Sequence, residues 1–412
     1  MVRRGRARRR RRAAQGQRPP GLLRGLARRG RSPAPAAEVK LPPALARALR
    51  DLAARAASRG QRAAVVGGCV RDALLGRPTR DLDVMAEGDA QALAQECAAA
   101  WGAKVETFGR FGTARLVLPG GDRLDLASAR AESYPEPAAL PVVRPATLED
   151  DLARRDFSVN ALARLALPEG LGPALDPFGG AADLKARRLR VLHPGSFRDD
   201  PTRLFRAARY AGRLSLKPDA GTLRLIRESV ARRDPALLSR ERVRQELWRI
   251  LEEKDPGPAL RLCTRWGLSA FFHPKFKAPA GLSRFRGPLT RLGLCALTLG
   301  KDAEEFLRSL PLPREDAAAL LAALKAVGGK AAPSQALPEA AAALVRAKFP
   351  RLPKAALGPR LVTGTDLVKA GLTPGPLFTS LLEDAARAQW AGRLKDRAGA
   401  AAFLRRAARR EK

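Results

Sequence analysis

The chain has 412 residues, two or three domains' worth, and is 45% apolar, enough for a real core, so disorder throughout is excluded. Its 77 Lys and Arg against 41 Asp and Glu leave a net charge of +36, which calls for a polyanionic partner: nucleic acid most simply, or an anionic membrane surface. Four scattered cysteines (Cys69, Cys97, Cys263, Cys295) without a C-x-x-C pair, and only two histidines, exclude a zinc finger or disulfide framework and point to a reducing, cytoplasmic compartment, and no apolar run approaches the ~20 residues of a membrane span.

Residues 1–40 hold thirteen Arg and one Lys against a single acid, Glu38. Such a segment cannot bury enough apolar surface to offset its ordering entropy and reads as a disordered arm, either an RNA-attracting or incidental tail or an organellar targeting segment. The remainder still carries +23, the difference between +36 and the arm's +13. Residues 43–58 read as an amphipathic helix, and short β-like runs follow at 63–66, 81–85, 114–118 and 123–127. Near residue 170 the mixture ends, and Ala/Leu/Arg-rich helical periodicity takes over, broken by Pro and Gly. The expected architecture is α+β: a small mixed-sheet head, then an elongated all-α region. Its domains are the arm (1–40), a catalytic head (41–172), a helical neck binding base and RNA (173–270), and a helical body and tail binding RNA (271–412).

Residues 65–85, VVGGCVRDALLGRPTRDLDVM, carry the sharpest chemistry. A β-branched run stops at Gly67-Gly68 and a helical pattern opens. Two glycines between strand and helix let backbone N–H groups approach a phosphate, and Arg71 is placed to clamp it. Alone, such a turn is as often structural as functional. Asp81 and Asp83 alternate with Leu82 and Val84, so both carboxylates share one strand face while the aliphatics enter the core. Oxygen ligands so spaced suit Mg²⁺, which keeps its other sites for water and substrate phosphates. Asp125, in a second alternating strand, either completes that metal site or is an ordinary surface aspartate.

Taken in order, the motifs resemble the class II tRNA nucleotidyltransferases, the CCA-adding enzymes and their poly(A) polymerase relatives. GGCVRDALLG with DLDV is similar to the family's first motif, and RRDFSVNA (154–161) to its second. DPFGG with Asp183-Leu184, then DDPTRLFRA (199–207), then SRER (239–242) with Glu246-Leu247, are similar to the three that follow. The resemblance implies that Asp81 and Asp83 bind catalytic Mg²⁺, that Gly67, Gly68 and Arg71 hold the triphosphate, and that Arg155, Asp156 and Asn160 position sugar and phosphates. It implies base reading by Asp200 and Arg203, with Arg206 and Arg209 nearby, ATP and CTP as substrates, and the tRNA 3′ end as acceptor. The family's usual Glu-Asp pair is here Asp199-Asp200.

Asp200 is placed to cap a helix with Pro201 as its first residue, and Arg203, Arg206 and Arg209 then recur every three residues. Cytosine and adenine both present an exocyclic amine where guanine and uracil present a carbonyl, so one Asp/Arg pair can favour C and A without a template. His193 and His273 lie outside the motifs and read as structural. The product is whole CCA or A alone; the FGT of TFGRFGTARLVL (107–118) argues against poly(A) synthesis, the intact loop after that strand against CC alone, and intact Asp81 and Asp83 against a catalytically silent RNA-binding protein.

Overall fold

The structure, a computed structural model, describes residues 39–77, 81–109 and 112–408; Asp81 is described in its backbone but not its side chain. Apart from Val39 and Lys40, the expected Arg-rich arm lies outside the described residues. The chain divides into two compact units: one runs to Glu132 and resumes over Val143–Lys185, the other comprises Ser133–Val142 and Ala186–Lys412.

The first unit opens with α1 (Pro43–Ser58), where Leu45, Ala48, Leu49, Leu52, Ala53 and Ala56 recur at helical spacing and are all buried. Then follow β1 (Ala63–Val66), α2 (Gly68–Leu74), β2 (Asp81–Ala86), α3 (Ala90–Trp101), β3 (Lys104–Phe108), β4 (Thr113–Val117) and β5 (Arg123–Ser128). A ribbon of β6 (Arg130–Ser133) and β7 (Val142–Pro145), α4 (Leu148–Ala153), β8 (Ala163–Leu167), β9 (Gly170–Leu175) and α5 (Gly180–Lys185) complete this stretch. Seven strands form one sheet in the order β3-β4-β5-β2-β1-β8-β9. Within it β2 and β5 run parallel, in a register that sets Asp83 beside Asp125. Leu82 and Val84 of β2 and Leu124 and Leu126 of β5 are buried in one core with Leu49 and Leu52 of α1 and Leu93 and Cys97 of α3. Because strand side chains alternate, Asp83 and Asp125 point to the opposite face. A one-residue slip would move every one of these aliphatics out of the core, at ~1.5–3 kcal/mol per side chain, so packing fixes the carboxylate pair in place.

β-structure runs past residue 170, further than the sequence pattern suggests. In β9, Gly170, Gly172 and Pro173 erase the apolar alternation, yet the strand pairs with β8 through a register shift.

The second unit is largely helical. It contains α6 (Ser196–Asp199), α7 (Thr202–Leu214), α8 (Ala220–Ala231), α9 (Arg240–Glu252) and α10 (Gly257–Arg265), and seven further helices follow between Pro288 and Ala408. Gly212 lets α7 approach α10 closely: a Cβ there would sit 2.7 Å from the Ala259 nitrogen. Phe205, Phe272, Phe276 and Phe306 form a chain of ring contacts in its core. Among the described residues no helix is long and apolar enough to cross a membrane.

Candidate active site

At the end of β1 the two glycines do different work. Gly67 has φ +63° and ψ −114°, a backbone conformation that L side chains rarely adopt. Its N–H donates to the Leu162 carbonyl at 2.8 Å and its carbonyl accepts from Arg71 N–H at 3.0 Å. A Cβ on Gly67 would lie 2.7 Å from Arg155 Nη1, whereas one on Gly68 would meet only Arg71 Nη2, at 3.6 Å. Gly67 thus makes the turn and leaves room for a guanidinium, while Gly68 leaves its backbone open at the start of α2.

Arg71 is buried, and its Nη1 donates to Asn160 Oδ1 at 2.6 Å, across 89 positions of sequence. Asn160 Nδ2 in turn donates to Asp156 Oδ1 at 2.9 Å, which also accepts the Phe157 N–H. The first two motifs therefore form one buried polar chain. The D-P-F-G-G segment braces it from below: Asp176 accepts the N–H groups of Gly180 and Ala181, and Asp183 accepts the Ser158 hydroxyl at 2.6 Å. Gly180 has no substitute there, since a Cβ would sit 2.0 Å from the Ser158 carbonyl oxygen.

Gly67, Gly68, Asp83, Asp125, Arg154 and Arg155 line one cleft of about 290 Å³. Asp83 is exposed in it, and its backbone N–H donates to the Cys69 sulfur at 3.4 Å. Asp125 is gripped by its cross-strand neighbour Arg115 through two bonds of 2.8 and 2.9 Å. Asp81 opens β2 opposite Arg123. Among the described residues no group of three His, Cys, Asp or Glu side chains gathers as a metal cage. The oxygen-only donors of Asp83 and Asp125 are of the type a hard cation such as Mg²⁺ takes.

One residue of this cleft escapes the motif reading. Asp151, fully buried, accepts from Arg154 Nη2 at 2.6 Å on one oxygen and from Arg155 Nη2 at 3.0 Å on the other. The available signal was the spacing: an acid three and four residues before two arginines, across the end of a short helix.

In the second unit, α7 begins at Thr202 with Pro201, not Asp200, in the cap position, but Asp200, one residue earlier, still holds its first residue. Its Oδ1 accepts the Thr202 N–H at 3.1 Å and hydroxyl at 2.6 Å, and also Arg242 Nη2 at 2.7 Å, so all three bonds fall on one oxygen. Arg203 is buried, with Nη1 on the Ser196 hydroxyl at 2.8 Å and its guanidinium 5.8 Å from the Tyr134 ring. Arg206 and Arg209 lie instead over the Tyr210 ring, at 5.7 and 4.6 Å, and Arg209 also pairs with Glu253. The three arginines are neighbours in spacing but not equivalent in surroundings. Sequence reasoning gave no role to Glu246, a buried carboxylate on α9. Burial pushes its carboxyl above the usual range, while Arg206, Arg249 and Arg209 pull the other way.

Residues 63–190 match the family model of the poly(A) polymerase head domain. The chain is 48% identical over 169 residues to an A-adding tRNA nucleotidyltransferase of Aquifex aeolicus, a match covering 41% of this chain and 20% of that protein. It is 42% identical over 219 residues to a CC-adding tRNA nucleotidyltransferase of Deinococcus radiodurans, covering 53% of this chain and 57% of the relative. The chain thus spans well under two thirds of either curated relative. Among solved structures it is similar to a tRNA-processing enzyme in an apo form, with 31% identity and a TM-score of 0.57 over 68% of this chain and 82% of that one. With its motifs assembled on this sheet, the chain belongs to the class II tRNA nucleotidyltransferase and poly(A) polymerase family.

Proposed function

We propose that the protein is a template-independent nucleotidyltransferase that adds CMP and AMP, from CTP and ATP, to the 3′ end of tRNA. The observation that carries this reading is the cleft in which the Gly67 turn, the exposed Asp83 carboxylate and the Arg155 guanidinium meet. Gly68 backbone and Arg155 would hold the triphosphate, and Asn160 and Asp156 the sugar. Arg71, buried behind them, would act by fixing Asn160 as much as by facing phosphate.

Asp81 and Asp83, with Asp125 beside them in register, would hold Mg²⁺. Bound there, the ion supplies acidification of the acceptor hydroxyl and neutralisation of charge on the departing pyrophosphate. In the transfer, the 3′ oxygen of the acceptor bonds to the α-phosphorus, the bond from that phosphorus to the β-phosphate's bridging oxygen breaks, and the hydroxyl proton passes to solvent. Arg155 would keep the triphosphate extended for in-line attack.

Asp200 and Arg203 would choose the base. With the three bonds to Asp200 all on Oδ1, Oδ2 is available to the exocyclic amine of cytosine or adenine. Arg206 and Arg209, on the next turns of α7, would contribute positive charge toward the nucleotide. The basic surplus of the helical unit would follow tRNA phosphates, and the four buried cysteines would suit a reducing, cytoplasmic setting.

The second reading, addition of A alone, is favoured by the 48% identity to an A-adding enzyme. One experiment separates the two: tRNAs ending at the discriminator base, at C and at CC are offered CTP, ATP or both, and the products are sequenced. Extension of all three to CCA supports the full activity. Extension of the CC-ended tRNA alone selects the A-adding reading, and transfer to none of them refutes both.

A further inference from the structure

We infer that Asp151 is a positioning residue for the triphosphate: its two oxygens anchor Arg154 and Arg155, one each, and aim Arg155 at the Gly67 turn. This rests on the nucleotide-binding reading of the cleft and adds to it a residue outside the five motifs. Asp151 is fully buried, and both of its carboxylate oxygens accept hydrogen bonds. Oδ1 takes Arg154 Nε and Nη2 at 2.8 and 2.6 Å and the Arg130 N–H at 3.3 Å. Oδ2 takes Arg155 Nε and Nη2 at 3.3 and 3.0 Å. Adjacent guanidinium groups repel, and without an anion between them they would diverge into solvent.

The rest of the geometry shows what each arm does. Arg154 continues to Glu132 at 2.8 Å, which also takes Arg130, and so ties the root of the β6–β7 ribbon. Arg155 turns the other way. Its Nη1 donates to the Asn160 carbonyl at 3.2 Å and occupies the space that a Gly67 Cβ would need. Three of its five N–H donors are committed to protein by these bonds, and two remain for an anion in the cleft. A carboxylate behind Arg155 fixes the direction of that fork, and a fixed fork binds phosphate with less loss of rotamer freedom than a mobile one.

The test uses the full chain and measures equilibrium binding of ATP and of adenosine by calorimetry, with transfer kinetics alongside. Asp151→Asn should weaken ATP about tenfold and leave adenosine unchanged, with KM for ATP raised and KM for tRNA constant. In the Arg155→Gln background the same change should have no further effect, because the route to phosphate is already gone. Should Asp151→Asn fail to fold, Asp151→Glu keeps the charge but moves the fork, and a several-fold loss of ATP affinity is expected. Equal losses for ATP and adenosine, multiplicative effects in the double variant, or unchanged ATP binding in a folded variant would each overturn the inference. Wild type that binds ATP without transferring AMP would sink the enzyme reading and leave the positioning role standing; wild type that binds no nucleotide would sink both.

Discussion

The adjacent glycines of the turn should respond in opposite ways to the same added methyl group. Gly67→Ala places a Cβ on a residue with φ +63° and ψ −114°, strain worth about 1–3 kcal/mol. A loss of about 0.4–1 kcal/mol of unfolded-chain entropy offsets part of this, leaving a net destabilisation of ~1–2 kcal/mol. At about 2–4 °C per kcal/mol for a domain of this size, that is about 2–8 °C in thermal midpoint. The new Cβ would also sit 2.7 Å from Arg155 Nη1, and since that atom ends a flexible side chain, the chain moves rather than the backbone. Arg155 then leaves the Asn160 carbonyl, and ATP affinity falls about tenfold with the lost charge-assisted contact. Gly68 begins α2, no positive φ constrains it, and its nearest neighbour would be at an ordinary 3.6 Å. Gly68→Ala should therefore melt with wild type or slightly above it, by up to ~1 kcal/mol, because alanine favours the helix. Its ATP affinity should still fall, since the methyl group covers the backbone a phosphate would approach. Differential scanning fluorimetry and calorimetric titration with ATP on both variants decide the matter. A Gly67→Ala protein that melts with wild type, or a Gly68→Ala protein that melts several degrees lower, would refute this division of labour.

Asp83→Asn, or chelation of divalent ions, should remove several kcal/mol of transition-state stabilisation, on the order of 10³-fold in transfer rate, while tRNA binding in a filter assay persists. Arg203→Ala should loosen the preference for CTP and ATP over UTP and GTP more than it weakens tRNA affinity; competition assays with the four nucleotides measure both. Glu246→Gln tests the buried acid of α9. With its folded pKa raised by burial, the native state holds this proton to higher pH than the unfolded chain does. The resulting destabilisation is absent below the unfolded value of about 4.3 and grows as pH rises through the folded one. The variant should thus melt above wild type at pH 8 and converge with it toward pH 4.

Local pattern made some of this molecule visible before its structure. α1 was legible because its apolar residues bury one face at helical spacing, and β2 because Leu82 and Val84 alternate with acids. β3 was not, because KVETF sits at the sheet edge with nearly every side chain exposed, which leaves no half-buried period to read. At the site, motif spacing pointed to residue types but not to their partners. Arg71 was expected to face phosphate, and only the fold brings Asn160, 89 positions away, onto its guanidinium. Asp151 stayed hidden for the same reason, and Arg242, though it lies within the SRER motif, gave no sign of its partner Asp200: each acts by holding a residue that a motif names, and such a partnership leaves no period in the sequence.

Whether Asp125 serves a metal turns on the strength of Arg115's hold. The pair is bidentate, but its side chains retain 42% and 34% exposure, so solvent screening limits it to about 0–1 kcal/mol. On the proposed metal reading, the attraction of a divalent ion to the carboxylates would compete with that modest hold, and Arg115 would give way. What the sheet register fixes is proximity: Asp83 and Asp125 are cross-strand partners on parallel strands, with the aliphatics on either side of each locked in the core. Arg115, one strand further, balances that charge when no cation does. Mn²⁺ titration followed by electron paramagnetic resonance, without nucleotide, reads this directly. Starting from Arg115→Met, which frees the carboxylate, the added change Asp125→Asn should weaken Mn²⁺ about tenfold if Asp125 joins the ion. An effect below twofold would assign Asp125 to Arg115 alone and leave the cation to β2.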